Sequence, residues 1–142
     1  MNDETIKLFK SLIYVSTAKY SMGHEKVMDI LQVSWRHNHN SDISGILIYD
    51  DNYFVQLLQG PINTVDTLYE KISNDIRHHS IELIGTELLA RKDVNGWGMG
   101  LINNQEIVEN LYLKHNIKHA KGLYESEYSS LKSLLIELKH IL

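Results

Sequence analysis

In the run Tyr53-Phe54-Val55-Gln56-Leu57-Leu58-Gln59, one amide stands between Phe54 and Leu58 on what alternation makes a single strand face. Both faces of the run are mostly apolar, so the strand is expected to be central in a sheet and covered on both sides. Gln56 would lose water there, and its oxygen and its NH2 group would both need partners. Two readings are open: a core glutamine satisfied by backbone, or an amide held ready to bond a polar ring. A second run, Leu12-Ile13-Tyr14-Val15-Ser16, puts the phenol of Tyr14 on one face with Leu12 and Ser16. A phenol can give up an electron, after which its acidity rises so far that the proton leaves too. A glutamine carries donor and acceptor on one small group. Rotation or tautomerisation therefore rewrites its hydrogen bonds without moving the backbone.

Helical periods supply the other candidates. Over 24–38, Val27, Leu31, Ser34 and Asn38 fall on one face with Ile30 and His37 alongside. That face begins apolar and ends polar, so the helix either caps itself or lines a site. Asn38 alone reads as a helix stop. After Gly60-Pro61, Asn63 or Thr64 can cap a second helix to about Arg77, with Asp66 favourable in its first turn. Its inner stripe is Val65, Leu68, Ile72, Asp75 and Ile76, and Arg77, His78 and His79 follow directly. For Asp75 and Arg77 the plain alternative is a local ion pair, worth little if exposed. Trp97 and Met99 share a strand face, where ordinary core packing is the alternative.

Positioning these groups requires a particular order of elements. Strands are expected over 12–16, 43–49, 53–59, 81–91 and 97–102, with Asp50-Asp51-Asn52 joining the second and third as a hairpin. Gly45 within a strand signals close approach of another backbone or a ligand. With the two helices the order is β-α-β-β-α-β-β. Its first six elements form the ferredoxin-like split βαβ unit, two helices on one face of a mixed sheet. That topology would bring Asn38, Asp75 and Arg77 above Tyr14 and Gln56. A helical lead-in is expected to about Lys10. At the other end, one helix is expected over 106–116 and another from a Ser126 cap to Leu142, with Leu131, Leu134, Leu135, Leu138 and Ile141 in register. These would cover the bare sheet face or pack on another subunit. The fold class is therefore α+β, divided into a lead-in (1–11), a core domain (12–102) and a C-terminal helical extension (103–142).

Bulk composition removes several functions. The 142 residues suit one domain, 43% hydrophobic and 23% charged, with a net charge of −4. With no basic cluster, direct nucleic-acid binding is not expected. The absence of Cys excludes disulfides, thiolate nucleophiles and Cys-based zinc sites together. No apolar run approaches a membrane span and the start is no signal peptide, so a soluble cytoplasmic protein is expected. An acylphosphatase-type enzyme would need a phosphate-cradling glycine loop or a nucleophile beside a base, and neither occurs. Of eight His, only His115 and His119 stand at i, i+4, so no metal site is expected.

Taken together, Leu12-Ile13-Tyr14-Val15-Ser16, His37-Asn38, Ile43-Ser44-Gly45-Ile46-Leu47, Phe54 to Gly60, Asp75-Ile76-Arg77-His78 and Trp97-Gly98-Met99 resemble the BLUF domain, the blue-light sensor using flavin. The resemblance spans about 12–102, and the short helical tail is similar to stand-alone members without a fused enzyme. It implies a flavin, FAD with FMN or riboflavin as alternatives, held between the two helices over the sheet. Asn38 and Arg77 match positions that hydrogen-bond the ring system, and His37 one that packs beside it. Asp75, His78 and Ser34 would lie in the same pocket. Tyr14 matches the photoactive tyrosine and Gln56 the switching glutamine. Trp97 and Met99 match a pair whose exchange near the flavin is debated in the family. The sequence departs from the pattern at Gln59, where Glu is usual, at Val94 for Phe, at Gly98 for Ser or Ala, and at Ser44 for Thr.

The resemblance also implies a mechanism and an output. Light would drive an electron and a proton from Tyr14 to the flavin through Gln56, and their return to Tyr14 would leave Gln56 rearranged and donating a new bond to the flavin C4 carbonyl. The red-shifted ground state would relax in darkness. The strand carrying Trp97 and Met99 would pass the signal to the C-terminal helices and so to an unidentified partner protein or a homo-oligomer. Residues 126–142 are expected to be dispensable for the spectral shift. The rival reading is an interaction module of the same shape that binds no flavin.

Overall fold

Alternating strands whose two faces are both apolar fold here into one five-stranded sheet. A computed structural model describes residues 6–19, 26, 42–101, 105–117 and 120–141. The described elements are β1 (Phe9–Ala18), β2 (Ser44–Asp50), β3 (Tyr53–Pro61), α1 (Ile62–Ser73), β4 (His78–Leu89), β5 (Trp97–Leu101), α2 (Gln105–Lys114), a 3-10 turn (Ala120–Glu125) and α3 (Tyr128–Ile141). The helix expected over 24–38 lies outside the described residues.

The strand order is β4-β1-β3-β2-β5, with β3 in the middle as its two apolar faces require. β1 to β4 pair antiparallel, and β5 joins the edge parallel to β2. This is the ferredoxin-like arrangement with one extra strand. Gly45 is indeed approached by another backbone: its N–H donates to the Gly96 carbonyl at 3.2 Å, where the chain enters β5.

Period-2 alternation divides the core in two. Leu12, Tyr14, Leu58, Val65 and Ile43 pack together on the face that carries α1, with Leu68, Tyr69 and Ile72 of that helix against them. Ile13, Val15, Ile46, Ile48, Val55 and Leu57 point the other way, onto Leu111 and Tyr112 of α2 and Leu131, Leu134, Leu135 and Leu138 of α3. The C-terminal helices therefore cover the chain's own sheet. The apolar stripe that suggested packing on a second subunit is already occupied. Removing 126–142 would bare this core, so the tail cannot be cut away as an accessory.

Several helix ends differ from expectation. Phe9 and Lys10 belong to β1 rather than to a helical lead-in. Pro61, not Asn63 or Thr64, caps α1, with extended dihedrals and no side-chain cap bond. Asp66 pairs with Lys10 at 2.7 Å. The helix ends at Ser73 instead of Arg77, because Asn74 Nδ2 and Ser73 Oγ donate to the carbonyls of Glu70 and Tyr69. Ile76, expected on the inner stripe, is consequently 80% exposed. Ser126 donates to the Gly122 carbonyl rather than capping α3.

Gly85 of β4 lies under α3, where an added Cβ would meet Tyr128 Cβ at 2.9 Å. Gly85→Ala should lift the helix and lower stability by about 1–3 kcal/mol in urea unfolding. Gly122→Ala, whose Cβ would lie 3.6 Å from Ile117, should change it by less than about 0.5 kcal/mol. Equal effects would mean that α3 does not dock over Gly85.

Candidate functional site

The β1–β3 register sets Tyr14 directly opposite Gln56, both on the α1 face of the sheet. The phenol donates to Gln56 Oε1 at 2.6 Å, with Tyr14 4% and Gln56 2% exposed. Among the described residues, Gln56 Nε2 makes no hydrogen bond. A buried amide donor without a partner costs about 1–3 kcal/mol, so the acceptor for Nε2 must come from outside the described residues or from a ligand. Burial pushes the Tyr14 phenol far above its ordinary range, with Tyr69 and the Asp75 charge adding in the same direction.

Aromatic rings enclose the phenol. Tyr69 of α1 lies 5.7 Å from it, ring centre to ring centre, and His78 stands edge-on at 6.4 Å. His78 is fixed by both its nitrogens: Nε2 meets the Ile72 carbonyl at 2.6 Å and Nδ1 meets Ser16 Oγ at 2.7 Å. A carbonyl only accepts, so Nε2 carries the proton, and in neutral His78 Nδ1 accepts from the Ser16 hydroxyl. One ring thus ties the end of α1 to β1 beside Tyr14, and its other neighbour is Phe54 at 6.3 Å.

Asp75 and Arg77 form the ion pair that their spacing allowed. Arg77 donates to both Asp75 oxygens, from its backbone N–H and Nε at 2.9 Å and from its terminal nitrogen. These bonds hold the Asp75 carboxyl below its ordinary range despite partial burial. The Arg77 side chain is 46% exposed, at the rim of the face rather than over its centre.

Of the candidates, Tyr14, Gln56 and His78 come together, with Asp75 close enough to act on the phenol and Arg77 beside it. Ser34, His37 and Asn38 lie outside the described residues, as do the side chains of Trp97 and Met99 on β5. Two functional neighbours were missed. Tyr69 lies one turn on from Val65, beside Leu68 on the inner stripe of α1, and could have been read from that period. Ser16 was read only as a strand residue, and its bond to His78 joins positions 62 residues apart. His115, half of the only i, i+4 histidine pair, binds Glu137 at 2.8 Å. Its partner His119 is outside the described residues.

Fold and face together define a ferredoxin-like α+β domain with a buried, half-satisfied amide, suited to holding a polar ring by hydrogen bonds. The chain belongs to the BLUF family, "Sensors of blue-light using FAD", whose model matches residues 9–100. It is similar to the blue light- and temperature-regulated antirepressor BluF of Escherichia coli, 34% identical over 74 residues, 52% of this chain and 18% of that protein. The chain thus spans less than a fifth of the curated relatives it first matches. Among solved structures it is similar to BlsA in its photo-activated state, with a TM-score of 0.80 and 28% identity over 93% of this chain and 95% of that one. It is similar also to the dark state of BlrB, a BLUF protein, with a TM-score of 0.77 and 25% identity over 96% and 98%. The family binds flavin.

Because folding raises the Tyr14 value, its contribution to stability is complete below the unfolded value of about 10 and is lost as pH rises above it. Tyr112, raised by burial and by its bond to Asp50, acts in the same direction. Tyr14→Phe and Tyr112→Phe should therefore each flatten the fall in urea midpoint between about pH 9 and pH 11. An alkaline limb that Tyr14→Phe leaves unchanged would mean that its phenol reaches water.

Proposed function

We propose that this chain is a blue-light photoreceptor that binds FAD non-covalently and signals by rearranging the hydrogen bonds of Gln56. The observation that carries the reading is the buried Tyr14–Gln56 bond, with the Nε2 group of Gln56 bonded to none of the described residues. Bound flavin supplies the absorption of blue light and, once excited, a strong one-electron oxidant. Tyr14 is the donor: its proton is already directed at Gln56 Oε1, so loss of an electron from the ring lets that proton move along an existing bond. Gln56 is the switch, because a half-turn of its amide presents Nε2 to the Tyr14 oxygen and turns Oε1 away. His78 and Tyr69 wall the phenol, keep water from it and hold its ring in place.

Asn38, Arg77 and Gln56 are the residues proposed to bond the ring system, with Ser34, His37, Asp75 and His78 lining the same pocket. Arg77 would turn from the rim while keeping its backbone bond to Asp75. The flavin-binding part is proposed to be the sheet and its site-face helices, with 103–142 as an extension packed on the other face and Trp97 and Met99 near the junction. The output is proposed to be an unidentified signalling protein rather than a reaction catalysed by this chain, in the cytoplasm, without direct contact to nucleic acid or membrane. Among the described residues no helix is long and apolar enough to cross a membrane. Self-association would use exposed side chains such as Leu83 and Leu88 of β4 or Leu113 of α2, since α3 is already docked.

The test is the visible spectrum of the purified protein in darkness and after blue light. A flavin spectrum that shifts to the red and recovers in darkness is expected, and Tyr14→Phe and Gln56→Leu should each abolish the shift while retaining bound flavin. A yellow protein that never shifts keeps the flavin site and removes the switch. A colourless protein that rejects added FAD leaves the interaction module.

A further inference from the structure

Gln59 is the second glutamine of β3, three residues beyond Gln56 and on the opposite face of the sheet. It is fully buried, and every polar atom of its amide is in use. Its Oε1 accepts from the backbone N–H groups of Asp93 at 2.7 Å and Val94 at 3.1 Å. Its Nε2 donates to Ser11 Oγ at 3.1 Å and to an Asp93 carboxylate oxygen at 3.4 Å. Both recipients continue into α3. Tyr128 donates to Ser11 Oγ at 2.7 Å, and Lys132 pairs with Asp93. Tyr128 and Lys132 meet again at Glu87 of β4. From Val94 the chain passes Gly96, which accepts the Gly45 N–H, into β5 at Trp97.

We infer that Gln59 is a positioning residue that clamps β3 to the entry of β5 and to the first turns of α3, and so carries motion of the Gln56 strand to the C-terminal helix. The clamp has no slack. A displacement of β3 relative to the β4–β5 loop must either break one of these bonds or take the loop and α3 with it. In this chain an amide suits the position better than a carboxylate: a charged oxygen in place of Nε2 would face Asp93 with like charge and would need Ser11 to turn its own proton toward it. The light-dependent half of this inference rests on the photoreceptor reading; the clamp itself does not.

The experiment is amide hydrogen exchange on the full chain with FAD, in darkness and under blue light, for wild type, Gln59→Leu and Gln59→Glu. In darkness, exchange at Asp93 and Val94 should accelerate about tenfold or more in Gln59→Leu. The increase should be smaller in Gln59→Glu, which keeps the oxygen that accepts from both N–H groups. Under light, the red shift should persist in both variants. The light-dependent change in exchange over Tyr128–Ile141 should appear in wild type and be lost in Gln59→Glu, which has lost only the donor to Ser11 and Asp93. Unchanged dark exchange in the folded Leu variant overturns the clamp. A light response at α3 that survives in Gln59→Glu, or is missing from a wild type that shifts its spectrum, overturns the coupling. If Gln59→Leu fails to fold, Gln59→Glu alone decides the coupling. A wild type without any red shift defeats the photoreceptor reading and the light-dependent half with it, while dark exchange still decides the clamp.

Discussion

The Tyr14 phenol donates to Gln56 Oε1 between neighbouring strands, both groups buried from solvent. Such a bond exists only in one register. A slip of β1 by one residue would turn Tyr14 into the apolar layer of Ile13, Val15, Val55 and Leu57 and aim an aliphatic side chain at Gln56. That layer is what forbids the slip. Its side chains are buried against α2 and α3, so the C-terminal helices hold the register on which the site depends.

Polar groups around the phenol are graded by how firmly they are held. His78 is bonded at both nitrogens and half-buried, which fixes its tautomer and its plane. The Asp75–Arg77 pair is local in sequence and more exposed. An ion pair of that kind is worth at most about 1 kcal/mol, so the Asp75 pair by itself holds Arg77 lightly. The fixed ring lies against Tyr14 and the cation at the rim. A pocket that must admit a large planar ligand and still hold one phenol in place needs that gradient.

What could be read from the residues was what depends on local period. Alternation in 12–16 and 53–59 assigned Tyr14 and Gln56 to their faces, and the element order gave the sheet topology with β3 central. The ends of helices were not readable to the same degree. Whether Ser73 or Arg77 closes α1 depends on side-chain bonds from Ser73 and Asn74 to particular carbonyls, and a stripe of apolar residues running on through Ile76 hides them. Ser126 likewise has the right type for a cap and another carbonyl within reach. Gln59 was visible only as a departure from the family pattern. Its partners Ser11, Asp93 and Val94 lie 34 to 48 residues away, and no local pattern brings them together.

β3 carries two buried glutamines that are bonded very differently. Gln59 shows how this sheet treats an amide whose task is to hold: both N–H groups of a loop on the oxygen, and a hydroxyl and a carboxylate on the nitrogen. Gln56, three residues away in the same strand and as deeply buried, has one side-chain bond among the described residues, from Tyr14. Satisfying its nitrogen from the sheet would have required only a small polar residue facing it, as Ser11 faces Gln59. Tyr14 faces it instead, and it offers its proton to the oxygen. Burying that donor without an acceptor would cost about 1–3 kcal/mol, so its partner must come from beyond the described residues, in the chain or in a ligand. The flavin of the family is one such acceptor.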